Sequence, residues 1–273
     1  MSKVLVTGAS GLLGTEFCRQ LKAAGHEVWA LDNHSRSTTI PDCNQFVSAD
    51  LQVALVYETL PKDFDYIYHY GAINGTTNFY ERPNEVLKTN FVSDLNIFEF
   101  ASQCPNLKRI VYASSSEVVS DDPTSPVPEN TDIMIKNIHN ARWSYRLAKV
   151  TSENFLANSK LPYVMIRYFN VYGPGEGDKG GQASPFEQFR RQAEETGMIK
   201  VFEGSDKYRR DFVPVQTVVD THIKFFDVQE TGVWNIGSGK TMIASSICSS
   251  KAFRESITRA RLGALLARTA RAA

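Results

Sequence analysis

Lys3-Val-Leu-Val-Thr-Gly8-Ala-Ser-Gly11-Leu-Leu-Gly14 opens the chain, and Asp32 follows eighteen residues after Gly14. Val4 to Val6 read as a buried strand and Leu12 to Leu21 as a helix, so the glycines fall at a strand-to-helix turn. There Gly8 permits a tight turn, Gly11 lets backbone approach a pyrophosphate, and Gly14 allows close helix–strand packing. The freed N–H groups, from Ser10 through Leu12 and Leu13 to Gly14, and the positive helix end then face phosphates. A second strand, Glu27-Val-Trp-Ala-Leu31, ends at Asp32, whose carboxylate suits the ribose hydroxyls of a dinucleotide. The same carboxylate repels a 2′-phosphate, which favours NAD over NADP.

Composition narrows the partners. Thirty basic residues balance thirty acidic ones in 273, so no global field points to nucleic acid or membrane. Cys18, Cys43, Cys104 and Cys248 are dispersed without a C-x-x-C pair, so no metal site is expected and a reducing compartment is. No apolar run approaches the ~18 residues of a membrane span, and the N-terminus enters its first strand at once, so the expected location is cytoplasmic.

Apolar runs at 3–7, 27–32, 45–48, 66–70, 109–113 and 162–167 alternate with helical patterns at 12–24, 84–103 and 142–159. This alternation implies an α/β fold: a doubly wound parallel sheet with helices on both faces. Ligands bind beyond the carboxyl ends of such strands, where Gly8, Asp32, Gly71 and Ser114 all fall. Past Arg167 the texture changes. The stretch Tyr172-Gly-Pro-Gly-Glu-Gly-Asp-Lys-Gly-Gly181 is a loop. A helix near 184–196, strands near 199–202 and 211–213, a helix near 215–228 and a strand at 232–236 then read as a smaller lobe. The expected division is 1–168 for the dinucleotide, an interleaved lobe at 169–250, and a tail at 251–273. From Arg254 that atypical tail is rich in Arg and Ala with Glu255 its only acid; it could form a basic amphipathic helix through Ile257, Leu262, Leu265 and Leu266, but the favoured reading is a disordered end.

Two further stretches carry chemistry. Tyr145-Arg-Leu-Ala-Lys149 puts a phenol and an ammonium on one helix face. A free tyrosine, with pKa near ~10, is ionised only about one part in a thousand at neutral pH. A neighbouring Lys⁺ and the positive nicotinamide of an oxidised cofactor would lower that value, and Lys149 could also hold the nicotinamide ribose. Ile110-Val-Tyr-Ala-Ser114-Ser115-Ser116-Glu117 is a buried strand ending in three hydroxyls and a carboxylate. A serine there can bond a substrate oxygen and share a proton with Tyr145.

With these pieces the chain resembles the extended short-chain dehydrogenase/reductase family, in its NAD-dependent nucleotide-sugar epimerase/dehydratase branch. The matches run in order from the Thr7–Gly14 loop through Asp50-Leu51, His69-Tyr-Gly-Ala72, Thr89-Asn90, Ser114-Ser-Ser116 and Tyr145-x-x-x-Lys149. They continue with Arg167-Tyr-Phe-Asn-Val-Tyr-Gly-Pro174, Arg210-Asp-Phe-Val213 and Asn235-Ile-Gly-Ser-Gly239. The resemblance implies a Rossmann sheet, NAD as cofactor and a nucleotide-diphosphate sugar as partner. It implies that Asp50 and Leu51 contact the adenine and that Gly71 and Ala72 line the dinucleotide. Asn33, Tyr70, Asn90, Ser114, Tyr168 and Asn170 join the cofactor set. Ser115 becomes the catalytic hydroxyl, three residues before Val118, the start of the family's V-Y-G. Ser115, Ser116, Asn170, Phe202 and Arg210 address the substrate, and the planar fork of Arg210 suits its diphosphate.

The implied chemistry is redox without net oxidation. Tyr145 takes the proton of the sugar 4-hydroxyl as hydride leaves C4 for NAD⁺. The 4-keto sugar then leads to a 4-epimer, an elimination product or, after loss of a C6 carboxylate, a pentose. Glu117 stands where dehydratases and decarboxylases of this branch carry a glutamate, and Asn140-Ala-Arg-Trp-Ser-Tyr145 is similar to the decarboxylase pattern. Against this, Ser116 replaces the aspartate of hexose dehydratases, V-Y-G reads Val118-Val119-Ser120, and segment 167–213 more resembles epimerases. Rival readings are a UDP-glucuronate-type decarboxylase using Glu117 and a catalytically silent dinucleotide-binding protein. The chain ends some tens of residues short of the usual family length, which implies a shortened C-terminal lobe. The family also implies a homodimer through helices 84–103 and 142–159, with Phe98 either at that interface or in the core.

Overall fold

The structure is a computed structural model that describes residues 1–119, 126–176, 183–201, 204–226, 228 and 230–247. The described residues divide into two compact units, Met1–Tyr168 with Val215–Ile236, and Phe169–Pro214 with 237–247.

Seven parallel strands form the sheet of the first unit: β1 (Lys3–Thr7), β2 (Glu27–Asp32), β3 (Gln45–Ser48), β4 (Tyr66–His69), β5 (Arg109–Ser115), β6 (Tyr163–Tyr168) and β9 (Gly232–Ile236). They lie in the order β3-β2-β1-β4-β5-β6-β9. The order reverses between β1 and β4, at the switch point that places ligands beyond the strand ends of such doubly wound sheets. All four residues of β4 are buried, as are five of six in β6, because a parallel sheet is covered on both faces. The covering helices are α1 (Leu12–Ala23), α4 (Pro83–Ser102), α5 (Trp143–Ala157) and α7 (Val215–Lys224), with the short α2 (Leu55–Glu58) and α3 (Thr76–Glu81). Helix α1 buries Gly14, Phe17, Cys18 and Leu21, one face at helical spacing. Leu5, Leu31, Ile67, Ile110 and Met165 from the strands pack with Ile97, Phe98 and Phe100 of α4 and Leu156 of α5 into one core cluster. Phe98 is thus a core residue, edge-on to Tyr112 and stacked on Phe155.

The second unit holds a three-stranded sheet, β10 (Thr241–Ile243), β8 (Arg209–Pro214) and β7 (Asn170–Tyr172), with β8 central. Helix α6 (Pro185–Thr196) starts at Ser184, whose side chain accepts from Glu187 N, and ends at Gly197 in the left-handed region. Its Phe186, Phe189 and Ala193 pack with Phe212, Ile247 and Tyr172. The short α8 (Ala244–Ile247) follows β10.

Three expectations are corrected. The helix near 215–228 and the strand at 232–236 belong to the first unit, not the smaller lobe. β9 pairs with β6 from Val164↔Gly232 to Tyr168↔Ile236, a register that extends the covered parallel sheet. Residues 199–201 form no strand. β5 runs on to Ser115, because Ser114 and Ser115 keep pairing with Arg167 and Tyr168. The tail at 251–273, Ser120 and Cys248 lie outside the described residues. Among the described residues no helix is long and apolar enough to cross a membrane, and no cluster of His, Cys, Asp or Glu could hold a metal ion.

Candidate active site

The glycine loop joins β1 to α1. Gly8 has φ +66°, and a Cβ there would lie 2.5 Å from Gly71 N and 2.7 Å from the Tyr70 carbonyl carbon. Only glycine fits both the conformation and the approach to the end of β4. At Gly14 a Cβ would lie 2.4 Å from Gly8 O and 2.6 Å from Ala9 Cα, so the third glycine sets the helix against the strand end. At Gly11 the one close atom is Gly8 O, at 3.1 Å, and the rest of that side is open. Gly11 is also the N-cap of α1 and offers no side-chain cap, so the first-turn N–H groups face the opening.

Asp32 ends β2 with Oδ2 accepting from Ser10 N at 3.1 Å and Oδ1 from His34 N at 2.8 Å, which fixes the carboxylate beside the loop. Asp50 accepts from Gln52 N at 2.8 Å and from Asn33 Nδ2 at 3.4 Å. Leu51 packs on Gly71, its Cδ1 occupying the space a Cβ there would take, and Ala72 follows β4. These residues follow the carboxyl ends of β1–β4, the edge at which the sequence places Gly8, Asp32 and Gly71.

Four of the predicted cofactor residues commit their polar ends elsewhere. Tyr70 Oη bonds Nδ1 of His222, and Tyr168 Oη lies 2.7 Å from Nε2 of the same ring. Asn90 clamps the backbone of Ile73, accepting from its N at 2.7 Å and donating to its O at 2.9 Å. Ser114 Oγ donates to Glu153, which also takes two bonds from Arg167.

Ser115 Oγ accepts from Glu117 N at 3.2 Å, and the Ser115 hydroxyl bears on the Tyr145 phenol. Tyr145 is 7% exposed, stacks on Phe79 at 4.9 Å and packs with Ile73 and Val86. Burial pushes the phenol above its ordinary value, the Ser115 hydroxyl pulls it down, Glu117 and Asp94 add to the rise, and Arg36 opposes it. The expected depression by Lys149 is not among these influences, and burial leaves the phenol raised. Lys149 Nζ lies 5.9 Å from the centre of the Tyr145 ring and donates to Tyr112 Oη at 3.1 Å. Lys149 is itself buried, which lowers its pKa against the opposing pull of Asp94 and Glu153.

Glu117 sits with Ser116 in the 3₁₀ turn Ser116–Val119, paired at 2.8 Å with Arg142, the residue that caps α5. In the second unit, Asn170 Nδ2 donates to Asp211 O at 2.7 Å and the exposed Arg210 donates from Nη1 to Arg209 O at 3.0 Å. Phe202 lies outside the described residues.

Comparison with known proteins decides the family. Residues 4–237 match the NAD dependent epimerase/dehydratase family. The chain belongs to that family. Its cofactor is NAD, and the loop fits it: glycines where a Cβ would fill the cradle, uncapped helix N–H groups, and a carboxylate at the end of β2. This family member is 29% identical over 247 residues to the UDP-N-acetyl-alpha-D-glucosaminuronate decarboxylase of Bacillus cytotoxicus, covering 86% of this chain and 75% of the relative. It is 29% identical over 262 residues to the ADP-L-glycero-D-manno-heptose-6-epimerase of Alkalilimnicola ehrlichii, covering 87% and 76%. Its fold matches the UDP-glucose 4-epimerase of Thermotoga maritima with TM-score 0.80 at 23% identity, over 93% of this chain and 81% of that one.

Sequence reasoning missed Asp94, His69, Arg142 and Phe79 as members of the site. The signal for Asp94 was present: Asn90, Ser93, Asp94 and Ile97 share one buried face of α4, and an acid on such a face needs a partner.

Proposed function

We propose that this chain is an NAD-dependent nucleotide-sugar epimerase/dehydratase that works through a 4-keto sugar. Tyr145 is the base, Ser115 the proton-sharing hydroxyl and Lys149 the electrostatic partner. The observation that supports it is the placement of Ser115, whose hydroxyl acts on the buried Tyr145 phenol, with Lys149 at the ring, on the sheet edge that carries the glycine loop. Gly8, Ser10, Gly11, Leu12, Leu13 and Gly14 would hold the pyrophosphate, Asp32 and Asn33 the adenosine ribose, and Asp50, Leu51, Gly71 and Ala72 the adenine side. Tyr70, Asn90, Ser114 and Tyr168 would shape that site through backbone and packing, since their polar ends are engaged. NAD, when bound, supplies a reversible hydride acceptor and a positive ring.

Tyr145 takes the proton from the sugar hydroxyl, and Ser115 bonds the same oxygen and shares the proton. Burial alone leaves the phenol a poor base, so ionisation waits on positive charge from Lys149 and the bound cofactor. Asn170 and Arg210 are assigned to the sugar diphosphate, as the relatives' nucleotide-sugar substrates suggest. The same reading carries a homodimer through α4 and α5, where Leu87 and Phe155 are exposed, and a cytoplasmic setting for the free cysteines.

A second reading, decarboxylation of a nucleotide uronic acid, is favoured by one feature: the Glu117–Arg142 ion pair three residues ahead of Tyr145. Incubation with NAD⁺ and a panel of nucleotide sugars, followed by mass spectrometry and NMR, separates epimer, keto sugar and pentose. We expect Tyr145→Phe to lose conversion by about a hundredfold or more while still binding NAD⁺. Full activity in that variant refutes the assignment. Pentose with carbon dioxide, lost in Glu117→Gln, selects the second reading.

A further inference from the structure

We propose that Asp94 is a positioning residue for Lys149: its buried carboxylate is the counter-charge that keeps that lysine a cation beside Tyr145. The proposal rests on the reading that Lys149 assists Tyr145.

Asp94 lies inside α4 and is 0% exposed. Its Oδ1 is 2.8 Å from His69 Nε2, its Oδ2 accepts from Tyr112 Oη, and Lys149 Nζ stands 3.7 Å from Oδ2. Lys149 also donates to Tyr112 Oη at 3.1 Å, so phenol, carboxylate and ammonium close a triangle. His69 ends β4 and its Nδ1 is 2.6 Å from Thr7 Oγ1, the residue before Gly8. The cluster therefore ties the base of the cofactor loop to the lysine.

A wholly buried ammonium with no counter-charge gives up its proton. Two carboxylates bear on Lys149, Asp94 and Glu153. Glu153 is committed to Arg167 by bonds of 2.9 and 2.7 Å and to Ser114. Asp94 has no arginine, and Lys149 is the ammonium beside it. Burial pushes the Asp94 carboxyl up, but Lys149, His69 and Tyr112 outweigh it and hold it below the usual range. The other titratable groups around the pair are Tyr145 and Glu153 of α5 and Tyr57 of α2. None supplies a second free negative charge near Nζ among the described residues.

Asp94→Asn keeps the shape and removes the charge. In the full-length protein, ¹⁵N NMR of lysine side chains, with Lys149 assigned from Lys149→Met, reads its ammonium directly. We expect its titration to fall by about one pH unit or more in Asp94→Asn. With substrate, the acidic limb of the kcat/KM profile should move to higher pH, and kcat should fall about tenfold or more. The sign discriminates. Deleting a negative charge while Lys149 stays charged would ease Tyr145 ionisation and move that limb down, which overturns the proposal. So does an unmoved Lys149 titration.

If Asp94→Asn does not fold, Asp94→Asn/Lys149→Met supplies the neutral pair, and we expect it to recover folding. Failure of the double variant where Lys149→Met alone folds overturns the coupling. If Tyr145→Phe proves fully active while the Lys149 titration still shifts, the catalytic reading has failed and the ion pair stands.

Discussion

At the scale of single residues, the loop glycines differ in what they tolerate. Gly11 has room on one side, whereas a Cβ at Gly14 would strike Gly8 O and Ala9 Cα, both backbone atoms. Backbone cannot rotate aside, so strand end and helix must separate. We expect Gly14→Ala to destabilise the protein by about 1–3 kcal/mol, the usual range for overpacking. NAD⁺ affinity should fall with it, because the same shift moves the N–H groups of α1. Thermal melts with calorimetric NAD⁺ titration check both, and a variant that melts and binds like the parent contradicts the packing role. Gly11→Ala provides the contrast, with binding affected more than stability.

At the scale of elements, one buried ring docks α7. Tyr66, Tyr68 and Tyr70, on or just past β4, alternate along one face, and their hydroxyls reach Phe226 O, His222 O and the His222 ring. Burial lowers the His222 pKa to about 3, so the folded protein holds the ring neutral. An unfolded histidine binds its proton below about pH 6.5, and between the two values the unfolded state carries more protons. This group's stabilisation is therefore full at neutral pH and is lost as pH falls. We expect a loss of about 2 kcal/mol between about pH 7 and about pH 5, and a flatter profile in His222→Gln. Melting curves at the two pH values read it, and an equal slope in parent and variant counts against it. The docking was not legible in the sequence, because its contacts join β4 to a helix from the far end of the chain. The strands of the parallel sheet were legible, each a short apolar run closed by a polar or glycine turn. β7 and β10 were not: at three residues each, they exist by pairing with β8 rather than by pattern. The site divides the same way. Tyr145 and Lys149 are one helical turn apart and could be read locally, whereas Asp94 meets Lys149 only after the sheet brings α4 and α5 together.

At the scale of the molecule, the chain leaves the first unit after Tyr168, returns at Val215 and leaves again after Ile236. A boundary drawn at 168 by sequence pattern therefore omits part of the dinucleotide-binding unit. Without β9, strand β6 becomes an edge, and Val164, Met165 and Ile166, each at most 1% exposed, lose the neighbour that pairs with them. An apolar unpaired edge is a template for association. Without α7, Tyr68, Tyr70 and Tyr168 lose the carbonyl and the ring that satisfy their hydroxyls, each a buried polar group then left without a partner. We expect fragment 1–168 to aggregate or to melt without a cooperative transition. The same fragment joined through a short flexible linker to 215–236 should melt cooperatively and bind NAD⁺, because every strand and the His222 anchor are then present. A cooperative melt from 1–168 alone would show that β9 and α7 decorate the unit rather than complete it. The order of the sheet argues otherwise: β6 is an interior strand only because the chain comes back.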